Sequence, residues 1–418
     1  MKFVHAADLH LDSPLRGLER YDGAPVEHLR GATRRAMENL VELCLVEEVD
    51  FLVIAGDLYD GDWRDYSTAL FFAAQLSRLR QADIPVYWLR GNHDAASQIT
   101  KHLRLPDNSF ELSSRKPQTL LIESLGVAIH GQGFAQRAVT DDLSAGYPEA
   151  LAGYFNIGVL HSCLTGRAGH EPYAPCRVEG LVAKGYAYWA LGHVHKREVV
   201  HERPWVVFPG NLQGRHAKEI GPKGATLVRV ENGEIADVAH QSVDALRWAR
   251  LDIDASPCAS ADDVVDRARL AIEAELAAAD GRPLAARIAV RGASRAHGEL
   301  QRNPEGWRNT LRAAATDVDP DGVWLEKIEL ATDPVFDVVA VGERDDAVGQ
   351  LVRSLRGVAA DPDRLRALAE SLAELRGRLP AELRGAGDDP TGEDAVRDAI
   401  GDVERILLAR LLDAGEAP

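Results

Sequence analysis

The sequence predicts an α/β protein with a helical tail. Three observations predict it: short apolar runs alternate with helix-spaced segments through roughly the first 240 residues, the texture changes near residue 245, and the chain past Pro334 becomes helical. Residues 3–7, 51–55 and 86–89 are short apolar runs that read as buried strands, while residues 33–47 and 65–80 carry apolar positions at helical spacing. Further strands are expected at 119–123, 127–131, 157–161, 188–191, 206–208 and 225–230. Several are joined by short turns, so the second half of the sheet is expected to be mixed or antiparallel. Beyond 245 a strand (248–254), a helix (261–276), a strand (286–290), a helix (307–315) and a strand (323–330) read as a small separate α/β module. Leu365, Leu368, Leu372, Leu375 and Leu379 then step by three and four up to the breaker Pro380. After a linker rich in glycine and aspartate at 384–390, Thr391 and Asp394 form a loose capping box. It opens a last helix with Val396, Ile400, Val403, Leu407 and Leu411 on one face, widened by Ile406, Leu408 and Leu412. The expected division is 1–240, 245–333 and 334–418, with no tandem repeat.

The 418 residues suit two or three domains, and 45% hydrophobic with 27% charged residues excludes a mainly disordered chain. A balance of 48 basic against 65 acidic residues gives −17, which repels a polyanion unless a partner or a metal supplies positive charge. This argues against a free-standing DNA-binding protein and leaves open an enzyme whose metals bind the anion. Cys44, Cys163, Cys176 and Cys258 show no C-x-x-C spacing, so neither a disulfide framework nor a thiolate zinc site is indicated. The start, Met1-Lys2-Phe3-Val4-His5, lacks a leader pattern, and no run of about 18 apolar residues follows, so a cytoplasmic protein without a membrane partner is expected.

Five segments place oxygen or imidazole groups just after an expected strand: Asp8-Leu9-His10, Gly56-Asp57, Gly91-Asn92-His93-Asp94, His161 and Gly192-His193-Val194-His195. Ligand sites of α/β sheets gather outside the carboxyl ends of strands, so these segments are expected to converge. Two carboxylates, one amide oxygen and four imidazoles are too many for one tetrahedral zinc, yet they fill two ions of higher coordination number if Asp57 bridges them. Two such ions carry +4 against −2 from Asp8 and Asp57, which leaves a surplus of about +2 for a phosphate and a hydroxide. Ions in such pairs lie about 3.5 to 4 Å apart, and water held between them loses its proton near neutral pH. His93, next to a ligand, is assigned to the phosphoryl group or the leaving oxygen as proton donor, with Asp94 orienting its ring. The glycines before Asp57, Asn92 and His193 are expected to let the backbone turn sharply. Taken singly these motifs are ordinary turns; the ordered set carries the reading.

That ordered set resembles the calcineurin-like metallophosphoesterase superfamily. The segments His5-Ala-Ala-Asp-Leu-His-Leu-Asp12, Gly56-Asp-Leu-Tyr-Asp60 and Pro209-Gly-Asn-Leu-Gln-Gly-Arg-His216 are similar to the SbcD-type DNA repair exonucleases, especially their YhaO-like branch. The resemblance implies a layered αββα-type sandwich followed by a small α/β capping domain that narrows access to the metals, and a helical C-terminal element. It implies one ion on Asp8, His10, Asp57 and His195, a second on Asp57, Asn92, His161 and His193, manganese as the usual activator, and His93 as the catalytic histidine. Asp60 stands where some relatives carry a second histidine. The implied partners are DNA as substrate, an SMC-like ATPase whose coiled-coil root the C-terminal helices grip, and a second copy of the chain.

The leading reading is therefore a two-metal phosphodiesterase cleaving DNA ends or single strands. Its rivals are a phosphoesterase for a cyclic nucleotide or phosphomonoester and a non-catalytic scaffold with a degenerate centre. Complete ligand positions count against the scaffold, and the additional 180 or so residues count against the small substrate. Arg215 and His216 are candidates to touch substrate phosphate, and Arg16 is a weaker one. His130 at a strand end and Cys163 read as structural.

Overall fold

The computed structural model describes residues 1–13, 31–60, 66–96, 105–164, 173–335, 338–372, 374–375 and 391–413. Arg16, Asp65, Leu379, Pro380 and the linker 384–390 lie outside the described residues. Two compact units emerge. One comprises Met1–Arg250, Glu275–Ala286 and Asp321–Glu326; the other comprises Leu251–Ala274, Arg287–Pro320 and Lys327–Pro418.

The first unit holds two six-stranded sheets. In the first, β1 (Lys2–Ala6), β2 (Phe51–Ile54), β3 (Val86–Trp88) and β4 (Ser109–Glu111) run parallel, and β11 (Gly224–Glu231) and β12 (Glu234–Ser242) add antiparallel strands beyond β1. The second sheet has the order β5 (Gln118–Ile122), β6 (Val127–Gly131), β7 (Phe155–His161), β8 (Tyr188–Gly192), β10 (Trp205–Phe208), β9 (Glu198–Glu202). Its four central strands are parallel and its two edges antiparallel, so it is mixed. Because successive side chains of a strand point to opposite faces, β1 divides its residues between two cores. Phe3 joins Phe51, Val53 and Tyr87 against Val127, Ile129, Ile157, Val159 and Tyr188 of the other sheet. Val4 and Ala6 face the opposite way, onto Met37, Leu40 and Val41 of α1 (Ala32–Val46) and Phe72, Leu76 and Leu79 of α2 (Tyr66–Gln81). The outer face of the second sheet, through Leu160, Trp189, Leu191 and Phe208, is covered by Tyr147, Tyr186 and Leu181 of α4 (Val178–Ala183). The layers are helix, sheet, sheet, helix, the αββα arrangement. Every central strand alternates onto buried faces, which is why β1, β2, β6 and β8 read as nearly continuous apolar runs.

Edge strands β4, β9 and β12 were not expected, since their polar, half-exposed sequences carry little apolar periodicity. Beyond the sandwich, β13 (Arg247–Asp254), β14 (Leu284–Ala293) and β15 (Val323–Asp333) form a three-stranded sheet, accompanied in sequence by α5 (Ala261–Ala277), α6 (His297–Arg302) and α7 (Pro304–Val318). The second unit ends in α8 (Val338–Glu343), α9 (Ala347–Ala360), α10 (Pro362–Ser371) and α11 (Glu393–Asp413), with Val341, Val352 and Leu408 packed together. Asp361 caps α10, accepting the N–H groups of Asp363 and Arg364, and Pro362 opens the helix. Among the described residues no helix is long and apolar enough to cross a membrane.

Candidate metal centre

Parallel β1, β2 and β3 of one sheet and β7 and β8 of the other end on the same side, so the loops that leave them meet. Asp8, His10, Asp57 and His193 all have positive φ (52°, 43°, 53° and 93°), a conformation that Asp and His tolerate better than most residues and that turns each side chain off its strand axis. The expected role of the glycines is corrected in part. Gly56 does adopt positive φ (96°), but Gly91 and Gly192 do not; they are needed for space. A Cβ on Gly91 would lie 2.2 Å from Asp57 Oδ1, and one on Gly192 2.0 Å from the Ala55 carbonyl oxygen.

The seven expected ligand residues gather in two groups. Asp8, His10 and His195 bring one ligand atom each within 4.8 Å of one another, and so do Asp57, His161 and His193. Asn92 joins the second group, its Oδ1 lying 2.9 Å from His161 Nε2. Asp57 sits between the groups, with Oδ2 3.4 Å from His161 Nε2 and 3.9 Å from His10 Nε2. The Asp8 carboxylate accepts the His193 backbone N–H through both oxygens, at 3.1 and 2.9 Å, and Asp57 Oδ1 accepts that of His93 at 2.9 Å. Asp8, His10, Asp57 and His161 are all buried.

Hydrogen-bond chemistry tests whether cations fit. The Ala55 carbonyl can only accept, so the His161 Nδ1 at 2.9 Å must carry a proton. In the neutral ring Nε2 is then a lone pair, and it faces two further acceptors, Asn92 Oδ1 and Asp57 Oδ2. Three acceptors converging in a buried place favour a positive species between them. Burial works to discharge His161, but the Asp57 carboxylate, with the Asp8 charge and the Ala55 carbonyl, outweighs it and lifts the pKa to about 9. In the first group His195 Nδ1 lies 2.7 Å from Glu219 Oε1, and its Nε2 faces His10 Nε2 at 3.1 Å and Asp8 Oδ1 at 3.7 Å. Burial, then the nearby Arg215 charge, push His10 well below its usual value, so its ring is neutral and offers a lone pair. A deficit of positive charge surrounded by oxygen and imidazole donors suits divalent first-row ions.

His93 is the second residue of the short helix α3 (Asn92–Ala96) and keeps part of its ring in solvent. The expectation that Asp94 orients that ring is corrected. Both Asp94 oxygens are taken by backbone, accepting from Leu58, Tyr59 and Gly91, so it staples the Asp57 loop to the Asn92 loop. Burial and the neighbouring Asp57 charge raise its pKa to about 6. The partner of His93 is Asp60, whose Oδ1 lies 3.1 Å from Nδ1 while Ser13 Oγ donates to its Oδ2 at 2.7 Å. Burial lowers the His93 pKa, yet the hydrogen bond to Asp60 together with the Asp57 and Asp60 charges outweighs it, and the net shift is upward. The sequence marks Asp60 only as a departure from relatives and does not mark Glu219; a carboxylate three or four residues from His216 and Arg215 is the signal it offers.

Arg215 reaches the site, 3.8 Å from Asp60 and 3.4 Å from Glu219. His216 stands farther out, more exposed, and 3.7 Å from Glu219. His130 is not part of the site: its ring nitrogens bond Thr119 Oγ1 at 2.8 Å and Asn156 Oδ1 at 2.9 Å, and it stacks on Tyr186. Cys163 is buried, and none of the four cysteines forms a disulfide.

Residues 1–197 match the calcineurin-like phosphoesterase family, and residues 248–333 match the family described as the middle domain of metallophosphoesterase YhaO. The chain is 38% identical over 258 residues to the uncharacterized metallophosphoesterase YhaO of Bacillus subtilis (strain 168), covering 61% of this chain and 63% of that protein. It is 27% identical over 282 residues to the DNA double-strand break repair protein Mre11 of Methanopyrus kandleri, covering 60% and 58%. A protein of the same description from Sulfurisphaera tokodaii is 24% identical over 267 residues, covering 58% and 63%. The matched region thus spans about three fifths of each relative.

Proposed function

Since the chain belongs to the calcineurin-like metallophosphoesterases and carries a YhaO-type middle domain, we propose that it is a two-metal phosphodiesterase that cleaves DNA in repair, as an exonuclease on ends or an endonuclease on single strands. The observation that supports a metal is the meeting of His161 Nε2, Asn92 Oδ1 and Asp57 Oδ2, three groups that can each offer a lone pair to one cation. Asp8, His10, Asp57 and His195 would hold one ion, and Asp57, Asn92, His161 and His193 the other, with Mn2+ as the activating metal. When bound, such a pair supplies Lewis acidity and a nucleophilic water at neutral pH.

The protein's own residues do the rest. Asp94 and the Gly91 N–H tie the loops of Asp57 and Asn92 together, so the ligand positions are fixed before substrate arrives. His93 keeps its proton because Asp60 accepts from Nδ1, and its partly exposed ring is available to protonate the leaving oxygen. Arg215, held between Asp60 and Glu219, can take a phosphate oxygen, with His216 at the margin. DNA is preferred to a small ester because two relatives are described as DNA double-strand break repair proteins and because a long second unit follows the catalytic one. The proposed division is a nuclease domain at 1–240, a capping module at 245–333 and a helical region at 334–418 that docks an SMC-like ATPase. That partner would supply the DNA affinity which a net charge of −17 opposes. The setting is the cytoplasm, with a homodimer as the working assembly.

The test is hydrolysis by the Mn2+-loaded chain of linear duplex, single-stranded DNA and a panel of small phosphate esters, with and without the ATPase. Weak DNA degradation that the ATPase increases is expected. Turnover of small esters with no attack on either DNA form would replace the DNA reading by the small-substrate one.

A further inference from the structure

We propose that Glu219 is the positioning residue that keeps His195 able to bind a cation, by holding the ring proton on Nδ1 against competition from Arg215. The inference rests on the two-ion reading above. His195 Nδ1 has two neighbours: Glu219 Oε1 at 2.7 Å and a guanidinium nitrogen of Arg215 at 3.2 Å. One ring nitrogen cannot satisfy both. With a proton on Nδ1 it donates to the carboxylate, and Nε2 presents a lone pair to His10 and Asp8; with a lone pair on Nδ1 it accepts from Arg215, and the proton moves to Nε2. The second state puts a hydrogen where the first ion would lie, 3.1 Å from His10 Nε2. Glu219 selects between the two, and the shorter contact to a full negative charge selects the ligating one.

Glu219 is built for that task. It is only 8% exposed, and its Oε2 accepts the Arg215 backbone N–H at 2.7 Å and the Asn211 side-chain amide at 3.0 Å. Burial works against its charge, but His195 and Arg215 keep it ionised well below the usual carboxylate range. The same segment grips the backbone of His195, whose carbonyl accepts from Lys223 Nζ at 2.9 Å. His161 differs in kind, because its tautomer is set by the Ala55 backbone carbonyl, which no substitution of a side chain removes.

The experiment combines nitrogen-15 NMR of the histidine rings in the metal-free full chain with Mn2+ titration calorimetry. The wild type is expected to show His195 protonated on Nδ1 and to bind two ions. Glu219→Ala should move the proton to Nε2 and weaken one ion roughly 10- to 100-fold, leaving the other unchanged. Adding Arg215→Ala to Glu219→Ala should recover part of that loss, which a merely structural Glu219 would not allow. Glu219→Gln, which keeps the shape and drops the charge, should weaken the same ion and serves if the alanine variant does not fold. Two ions bound by Glu219→Ala or Glu219→Gln at wild-type affinity would overturn the proposal, as would a double variant no better than Glu219→Ala. A wild type that binds no metal would instead sink the two-ion reading.

Discussion

Gly91→Ala is a one-methyl probe of the centre. The added Cβ would sit 2.2 Å from Asp57 Oδ1, 2.7 Å from its backbone nitrogen and 2.8 Å from Cγ, where ordinary contact begins at 3.4 Å. Rotating the Asp57 side chain does not relieve this, because the backbone nitrogen is itself in the collision. Oδ1 is tied to the His93 N–H at 2.9 Å, and the Asp57 carbonyl accepts the His10 N–H at 3.1 Å. Overpacking of this kind costs about 1 to 3 kcal/mol. Since Asp57 stands between both ligand groups, its displacement should weaken both ions. Denaturant unfolding of metal-free and Mn2+-loaded protein separates the two effects. At free metal about 100-fold above Kd, each site should stabilise the wild type by about 2.7 kcal/mol. The variant should lose about 1 to 3 kcal/mol without metal and most of the Mn2+-dependent gain. Gly180→Ala, in α4 with no atom within 4 Å of the new methyl, should instead stabilise by about 0.5 to 1 kcal/mol. If Gly91→Ala matched the wild type with and without metal, close approach to Asp57 would not be what this glycine provides.

His93→Ala should lower the cleavage rate roughly 10²- to 10⁴-fold while elemental analysis still finds the wild-type metal content; full activity would remove His93 from the mechanism. Asp60→Asn takes away the charge that raises His93, so the protonated ring is lost at lower pH, and the alkaline limb of the pH–rate profile should move toward acid. An unmoved limb would mean that another group supplies the proton. His130→Leu, which takes from Thr119 Oγ1 its ring partner while Asn156 keeps its bonds to Leu151 and Tyr154, should cost roughly 1 to 3 kcal/mol in unfolding experiments and leave turnover per folded molecule unchanged.

Much of the centre was legible before any coordinates. The chemistry of Asp8, His10, Asp57, Asn92, His161, His193 and His195 lies in residue type, and their place behind apolar runs lies in local pattern, so both could be read along the chain. The short connections pointed to a mixed or antiparallel second half of the sheet; the strands divide instead between two sheets, both of them mixed. The edge strands β4, β9 and β12 escaped, because an edge is polar on its open side and can lose the apolar alternation that marks a strand.

What the residues by themselves determined, then, is an inventory: a strand-and-helix order, an ordered set of ligands and a net charge of −17. Tertiary structure decided who meets whom. Asp94 follows His93 directly yet spends its oxygens on the Leu58, Tyr59 and Gly91 amides, while Asp60, 33 positions earlier in the numbering, takes the His93 ring. Glu219 reaches His195 from 24 positions away. The physical reason is that a hydrogen bond depends on distances of about 3 Å and on direction. Neighbours in a turn point their side chains apart, and only the packing of two sheets brings distant loops to a common rim.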